Sequence, residues 1–235
     1  MAKFQIIGSN APFIHCHLER GEKIFCESDA MVMMEEGLSL KGQMRGGFLQ
    51  SVARKLTTGE SLFQQEITAD KASGDCLLAA PLDGGVEILE VGKSQYYLND
   101  GAFVAATSGI ELKAAMQRNL GGALFGGTGG FVLLKTEGSG EIAVSGLGEI
   151  FAIDVVPSKT TIIDNGHIIC WDASLNYQIA MGTKGEGGFF SNMVNSVVSG
   201  EGIVLKFNGS GKVYLCSRNR GVFSSWIRNL VGSRN

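Results

Sequence analysis

The chain has few prolines and few charged residues, and it has no long apolar run. Only 3 of its 235 residues are proline and 18% are charged, whereas globular domains average about 25% charged residues. No uncharged stretch reaches the roughly 18 apolar residues of a membrane-spanning helix. The first eight residues also lack the apolar segment of a secretory signal. These absences predict a cytoplasmic location.

A basic charge balance and closely spaced cysteines are missing as well. The formal net charge is −3, and proteins that track nucleic-acid phosphates are usually basic, so the balance argues against a nucleic-acid partner. The five cysteines are odd in number and far apart in the sequence. This pattern predicts reduced, buried thiols and no disulfide framework.

Glycine is abundant, with 34 residues, and it marks a pattern that occurs three times. Segments starting at Gly21, Gly101 and Gly166 each follow a leucine or isoleucine and two polar residues. A double glycine, a strand, a glycine turn and another strand then follow in each copy. The self-similarity predicts three β repeats at 1–84, 85–147 and 148–217, packed as one body and followed by a tail at 218–235.

Local patterns within the repeats predict strands. Apolar and polar residues nearly alternate over 13–18, 86–91 and 149–155, as they do in half-buried strands. In the tail, five apolar residues share one helical face: Val222, Phe223, Trp226, Ile227 and Leu230. We expect a short helix docked on the β core, with a basic amphipathic element for a membrane or partner surface as the alternative. The predicted fold class is all-β, with three β-sandwich-like repeats in a pseudo-threefold arrangement and a short C-terminal helix.

Two glycine-rich motifs resemble nucleotide loops without meeting their requirements. Gly209-Ser-Gly-Lys212 has Lys206 where a phosphate loop needs glycine, and a strand follows it instead of a helix. The turns at 138–141 and 72–75 occupy the same place in the other copies, so Lys212 is read as a solvated turn residue. The glycine run at 121–130 lacks the strand–turn–helix context of a dinucleotide site. No cofactor-binding residue is predicted.

Candidate catalytic and metal-binding residues are equally sparse. On a strand, His15 and His17 point to one face, but a metal site needs a third or fourth ligand. His167, the third histidine, occupies a variable position of the repeat. No G-x-S-x-G nucleophile motif is present. The sequence therefore predicts no catalytic residue, no metal and no cofactor, and the protein is predicted not to be an enzyme.

The double-glycine loops are the best candidates for binding. Each places apolar side chains beside mobile glycines, and an exposed apolar tip requires a partner to cover it. The alternative is that the tips fold back to cap the ends of the β structure. The candidate partner-binding residues are Phe48, Leu49, Leu124, Phe125, Phe189 and Phe190.

Several segments together resemble a known protein family. They are Gly21-Glu-Lys-Ile, Asp29-Ala-Met-Val, Gly59-Glu-Ser-Leu-Phe, Asn99-Asp-Gly-Ala-Phe, Gly121-Gly-Ala-Leu-Phe-Gly-Gly, Asp164-Asn-Gly-His and Gly200-Glu-Gly-Ile-Val-Leu-Lys-Phe. In this order they resemble the "altered inheritance of mitochondria, protein twenty-four" family over nearly the whole chain. The resemblance implies three repeats similar to the sandwich of the tryptophan RNA-binding attenuation protein, and oligomers that are often trimers. It supplies no catalytic residues, and its mitochondrial members are linked to inner-membrane organisation.

These observations lead to one main functional hypothesis. We expect a non-enzymatic scaffold or binding protein that acts as a homo-oligomer, with a trimer favoured and a protein or membrane surface as a further partner. The alternative is an RNA- or small-ligand-binding module, which rests on analogy of fold.

Overall fold

The protein, described here by a computed structural model, is built almost entirely of antiparallel strands. The structure describes residues 1–43, 64–116, 132–181 and 203–232. Within these ranges it contains nineteen β-strands, a short 3-10 turn and one α-helix, α1 (Arg220–Val231). The prediction of an all-β protein with one short C-terminal helix is confirmed.

The strands fall into three groups of six, preceded by β1 (Lys3–Ile7). Group 1 consists of β2 (Phe13–Leu18), β3 (Lys23–Glu27), β4 (Met31–Met34), β5 (Ser39–Gln43), β6 (Gln64–Thr68) and β7 (Gly74–Ala79). Group 2 consists of β8 (Gly84–Val91), β9 (Tyr96–Leu98), β10 (Phe103–Thr107), β11 (Ile110–Met116), β12 (Val132–Gly138) and β13 (Gly140–Leu147). Group 3 consists of β14 (Ile150–Val155), β15 (Thr161–Asp164), β16 (Ile168–Asp172), β17 (Asn176–Met181), β18 (Ile203–Asn208) and β19 (Gly211–Cys216). The alternating segments at 13–18, 86–91 and 149–155 thus lie on β2, β8 and β14, as predicted.

All three groups share one order of pairing. In each group the sixth strand pairs with the first and the third, and the fifth strand pairs with the second and the fourth. Each group is therefore a small two-layer unit, with three strands in each layer.

Pairs between groups join these units into larger sheets. The second strand of group 1, β3, pairs with the third strand of group 2, β10, and in the same way β9 of group 2 pairs with β16 of group 3. Four sheets result, with the strand orders β1-β2-β7-β4, β5-β6-β3-β10-β13-β8, β11-β12-β9-β16-β19-β14 and β15-β18-β17. We call the contacts β3·β10 and β9·β16 the internal junctions.

Three apolar cores lie between successive sheets. Core 1 contains Ile14, Leu18, Ile24 and Ile67 among its fully buried side chains. Core 2 is centred on Leu98 and Ile142, and core 3 on an aromatic cluster around Trp171. Side chains facing inward from both layers bury these surfaces, which is the main stabilisation available to packed sheets.

One turn of the predicted repeat is placed differently by the structure. The sequence pattern aligns Gly21 with Gly101, the turn that leads into β10. The corresponding turn of group 1 instead leads into β4 and has Asp29 at a φ of 65°, close to the 68° of Gly101. Ala30 and Ala102 follow them, and each donates its N–H to the carbonyl three residues earlier at 3.2 Å. Asp is one of the few non-glycine residues that tolerates this backbone region, which is why a search for glycine misses the turn.

Candidate functional site

Within the described part of the chain, the third strand of group 1 and the second strand of group 3 lack the partner strand that their counterparts have. The third strands β10 and β16 and the second strands β3 and β9 all take part in the internal junctions. Among the described strands, β4 has a neighbour on one side only, as does β15. We call β4 and β15 the open edges. Unpaired backbone N–H and C=O groups on such edges are a template for another strand.

A bulge fixes the correspondence between the three third strands. Each strand carries one extra residue relative to its sixth strand: Val104 in β10, Ile169 in β16 and Val32 in β4. A β-bulge leaves one residue unpaired and locally bends the strand. Its recurrence makes Val32 the counterpart of Val104 and Ile169, and makes the following residue, Met33, the counterpart of Ala105 and Cys170.

The side chains of β4 are exposed where their counterparts are buried. Val32 is 51% exposed and Met33 is 40% exposed. The four residues of β4, Met-Val-Met-Met, include no charge or proline to protect the edge. The counterparts Val104, Ala105, Ile169 and Cys170 are all fully or almost fully buried.

The open edge of β15 shows the same contrast. Ile162 is 43% exposed, although β18 covers the other side of its strand through the pair Ile162 and Lys206. In group 1 the counterpart is Phe25, which is buried. Both open edges therefore combine an unpaired backbone with exposed apolar side chains.

A second polar feature surrounds the two histidines of β2. Both side chains lie on the solvent side of the strand, His15 half-buried and His17 exposed. Nε2 of His15 and Nδ1 of His17 lie 2.7 Å and 3.1 Å from the same oxygen, Oδ1 of Asp75. These two hydrogen bonds lower the pKa of Asp75 below its ordinary value.

Asp75 could not be found from the sequence, because it lies on β7, opposite His17, and no local pattern indicates which distant strands pair. In the described ranges, no three His, Cys, Asp or Glu side chains are arranged to hold a metal ion. The histidines instead act as hydrogen-bond partners of one carboxylate.

The five cysteines are free and buried, in agreement with the sequence. Two of them are close in space despite their distance in the chain, because Cys16 and Cys76 face each other on β2 and β7. Burial raises the pKa of Cys26 to about 12 and that of Cys170 well above its ordinary value. Thiols held in the neutral form are poor nucleophiles.

A cavity of about 410 Å³ lies where groups 2 and 3 meet the start of α1. Its wall includes Asn99, whose side-chain amide donates to the carbonyls of Asn165 and Ile168. Asn219, the N-cap residue of α1, donates its side-chain amide to Asp164 and accepts from the N–H of Val222. These polar groups are hydrogen-bonded within the turns and the helix cap. The cavity is therefore a gap between packed elements and not a candidate binding site.

Helix α1 forms where predicted, but it is not docked on the β core along its apolar face. None of its residues is buried, and Val222, Trp226 and Leu230 are each more than half exposed. Residues 218–235 include four arginines and no acidic residue. Among the described residues, no helix is long and apolar enough to cross a bilayer.

The predicted binding loops cannot be compared with these features. Phe48, Leu49, Leu124, Phe125, Phe189 and Phe190 all lie outside the described residues. The turn that ends at Lys212, by contrast, joins β18 to β19. Lys212 is exposed and pairs with Asp154 at 2.9 Å, so it is solvated as predicted, but it is the second residue of β19 and not a residue of the turn.

Comparison with known proteins places this architecture in a family. The family model described as "Mitochondrial biogenesis AIM24" matches residues 4–218. An uncharacterized protein of Streptococcus pyogenes serotype M6 is 33% identical over 226 residues, which cover 94% of this chain and 87% of that protein. The crystal structure of another Streptococcus pyogenes protein superimposes with a TM-score of 0.77 at 30% identity, covering 98% of this chain and all of that one. The chain therefore belongs to the mitochondrial biogenesis AIM24 family.

Proposed function

We propose that this protein is a non-enzymatic scaffold that acts as a homo-oligomer, with the trimer as the favoured form. The observation that carries the proposal is the pair of open edges, where the uncharged strand β4 exposes Val32 and Met33 and the strand β15, whose only charge is Asp164 at its end, exposes Ile162. Stable monomers protect such edges with charge, proline or covering segments. Among the described residues, β4 has none of this protection, and such an apolar edge is suited to pairing with another strand.

The described side chains also favour binding over catalysis. The thiols are buried and free, and the histidines of β2 are occupied by Asp75. Neither set forms the nucleophile–base arrangement of covalent catalysis. Free cysteines further support a reducing compartment such as the cytoplasm.

Replacing Met33 with lysine tests assembly directly. The wild-type protein should have a mass in solution of three times the 24.9 kDa of the chain. Met33→Lys places an ammonium group on the unpaired edge, where like-charged or desolvated lysines oppose strand pairing. We expect this variant to be monomeric by light scattering and native mass spectrometry, with its far-ultraviolet circular dichroism unchanged.

The matched control is Phe151→Lys on β14. This side chain is 69% exposed, but its strand corresponds to β2 and β8, which take no part in the internal junctions. The control should keep the wild-type mass. A wild-type protein that is monomeric at all accessible concentrations would refute the proposal, as would a Met33→Lys variant that assembles normally.

The exposed face of α1 supports an anionic membrane surface as a further partner. Short helices with an aromatic apolar face and arginines on the polar side bind at lipid interfaces. Phe223 and Trp226 stack with their ring centroids 6.0 Å apart. We expect binding to vesicles that contain phosphatidylserine, weakened by salt and lost in Trp226→Ser, with Phe151→Ser as the control. Equal binding to neutral phosphatidylcholine vesicles would contradict the electrostatic part of this role.

A further inference from the structure

We propose that the protein assembles head to tail, with β4 of one copy pairing antiparallel with β15 of the next, so that Met33 lies opposite Ile163 and Met34 opposite Ile162. This inference rests on the proposed function, because it requires an oligomer. It adds the two surfaces, their direction and their register.

The internal junctions supply the register. In the first junction Ala105 pairs with Cys26 and Ala106 with Phe25. In the second junction Cys170 pairs with Leu98 and Trp171 with Tyr97. Both junctions therefore align the two residues that follow the bulge with corresponding residues of a second strand.

Ile163 is the residue of β15 that corresponds to Leu98. Leu98 pairs with Leu134, four residues before the glycine turn at 138, and Ile163 pairs with Leu205, four residues before the turn at 209. Met33 is the residue of β4 that follows the bulge. Carrying the internal register over to the open edges therefore places Met33 opposite Ile163.

The direction of the side chains explains which residues are exposed on β4. In the first internal junction, Val104 and Ala105 of group 2 complete core 1, which belongs to the preceding group. Ala106, the next residue, faces core 2 of its own group. By the same rule Met34 should face its own core, and it does pack against core 1. Val32 and Met33 should face the core of a preceding unit, and the described residues form no such unit.

The exposed residue of β15 follows the converse rule. Tyr97, the counterpart of Ile162 on β9, packs against core 3, which belongs to the following group. Ile162 should therefore face the core of a following unit, and Ile163 remains in its own core 3. The side chains exposed at each open edge are those directed toward the side on which no further described strand pairs.

A second copy of the chain satisfies both requirements together. Its β15 would cover Val32 and Met33 with core 3, and its β4 would cover Ile162 with core 1. The two contacting surfaces differ, so the interface is heterologous and leads either to a closed ring or to an open filament. A ring would have a fixed mass in solution, whereas a filament would grow with protein concentration.

Cysteine cross-linking between differently labelled chains tests this inference. Met33→Cys and Ile163→Cys are made in separate chains, mixed, dissociated, reassembled and oxidised. Residues directly opposite on antiparallel strands bring their Cβ atoms within about 4.5–5.5 Å, which disulfide geometry permits. We expect oxidation of the mixture to convert part of its monomer band into a covalent dimer, one for each mixed ring, while Met33→Cys alone remains monomeric in a denaturing gel. The native cysteines are buried, so the unsubstituted chain serves as the background.

Mixing Met33→Cys with Ile162→Cys provides the out-of-register control, because adjacent residues point to opposite faces of a strand. This pair should not cross-link. If Ile163→Cys does not fold, Met34→Cys mixed with Ile162→Cys is a second in-register pair, because Ile162 is exposed and tolerates substitution. Two results would overturn the head-to-tail arrangement without refuting the oligomer. One is a disulfide between two Met33→Cys chains; the other is an assembly of normal mass in which neither in-register pair cross-links. A monomeric wild-type chain would instead refute the proposed function.

Discussion

The internal junctions and the open edges are formed by corresponding strands, which are paired with a neighbouring group at the junctions and unpaired on one side at the open edges. At the junction of groups 2 and 3, Trp171 and Cys170 are completely buried and pair with Tyr97 and Leu98. At the open edge of group 1, the counterpart of Cys170 is the 40% exposed Met33. The pairing order, the bulge and the apolar character are the same in both places. Only the neighbouring unit differs.

This difference shows why exposed apolar residues carry information here. Isolated apolar side chains on a surface are ordinary. On β4 and β15, however, corresponding residues of the same chain show what covers such positions when a neighbour is present. The chain thus contains its own reference for a complete interface.

The largest expected effect comes from breaking an internal junction at Trp171. Its ring lies 5.0 Å from that of Tyr177 and 5.5 Å from that of Phe207, measured between centroids. Trp171→Ala removes the largest fully buried side chain of core 3, and such truncations cost about 3–5 kcal/mol. Urea unfolding should show this loss. Trp226→Ala on the exposed face of α1 is the matched control, with a change of about 0.5 kcal/mol or less; equal effects would mean that Trp171 does not anchor the junction.

The elements with a strong local signal could be predicted from the sequence. Alternation located β2, β8 and β14, and the helical spacing around Trp226 located α1. The glycine turn before Lys212 could be assigned because the same turn occurs in the other two copies. These features depend on neighbouring residues, whose periodicity is visible in one dimension.

Contacts between distant strands could not be predicted in this way. The approach of Asp75 to His15 and His17, and that of Cys76 to Cys16, depend on the register of β2 with β7. The open edges depend on pairs between groups, such as β3 with β10. The turn at Asp29 was overlooked because its positive φ is adopted by an aspartate, and the repeat was aligned on glycines.

A smaller effect is expected from filling the close contact between groups 2 and 3 at Gly146. A Cβ atom at this position would lie 2.5 Å from Cδ1 of Ile169 and 2.7 Å from Cβ of Cys216. Gly146→Val should lower the free energy of unfolding by about 1–3 kcal/mol through overpacking. A Cβ at Gly42 of β5 meets nothing within 4 Å, so Gly42→Ala is the control for a new side chain on a strand. A Gly146→Val variant as stable as this control would show that the two groups separate easily.

The smallest effect concerns the His15–Asp75–His17 cluster, which lies on the sheet that also contains the open edge β4. The pKa of Asp75 is lowered in the folded protein by its hydrogen bonds to the two histidines. A carboxylate with a lowered folded pKa contributes stability above its unfolded pKa and loses that contribution as the pH falls through the folded pKa. Asp75→Asn should therefore be slightly less stable than the wild type at pH 7, and the difference should vanish in acid. Urea unfolding from pH 7 down to the folded pKa of Asp75 measures this difference in stability.

Because the carboxylate is solvent-accessible, screening keeps the difference small. Asp154→Asn, which removes the exposed pair with Lys212, calibrates the effect of a surface charge, and a difference at Asp75 that persists in acid would contradict the assignment to its hydrogen bonds.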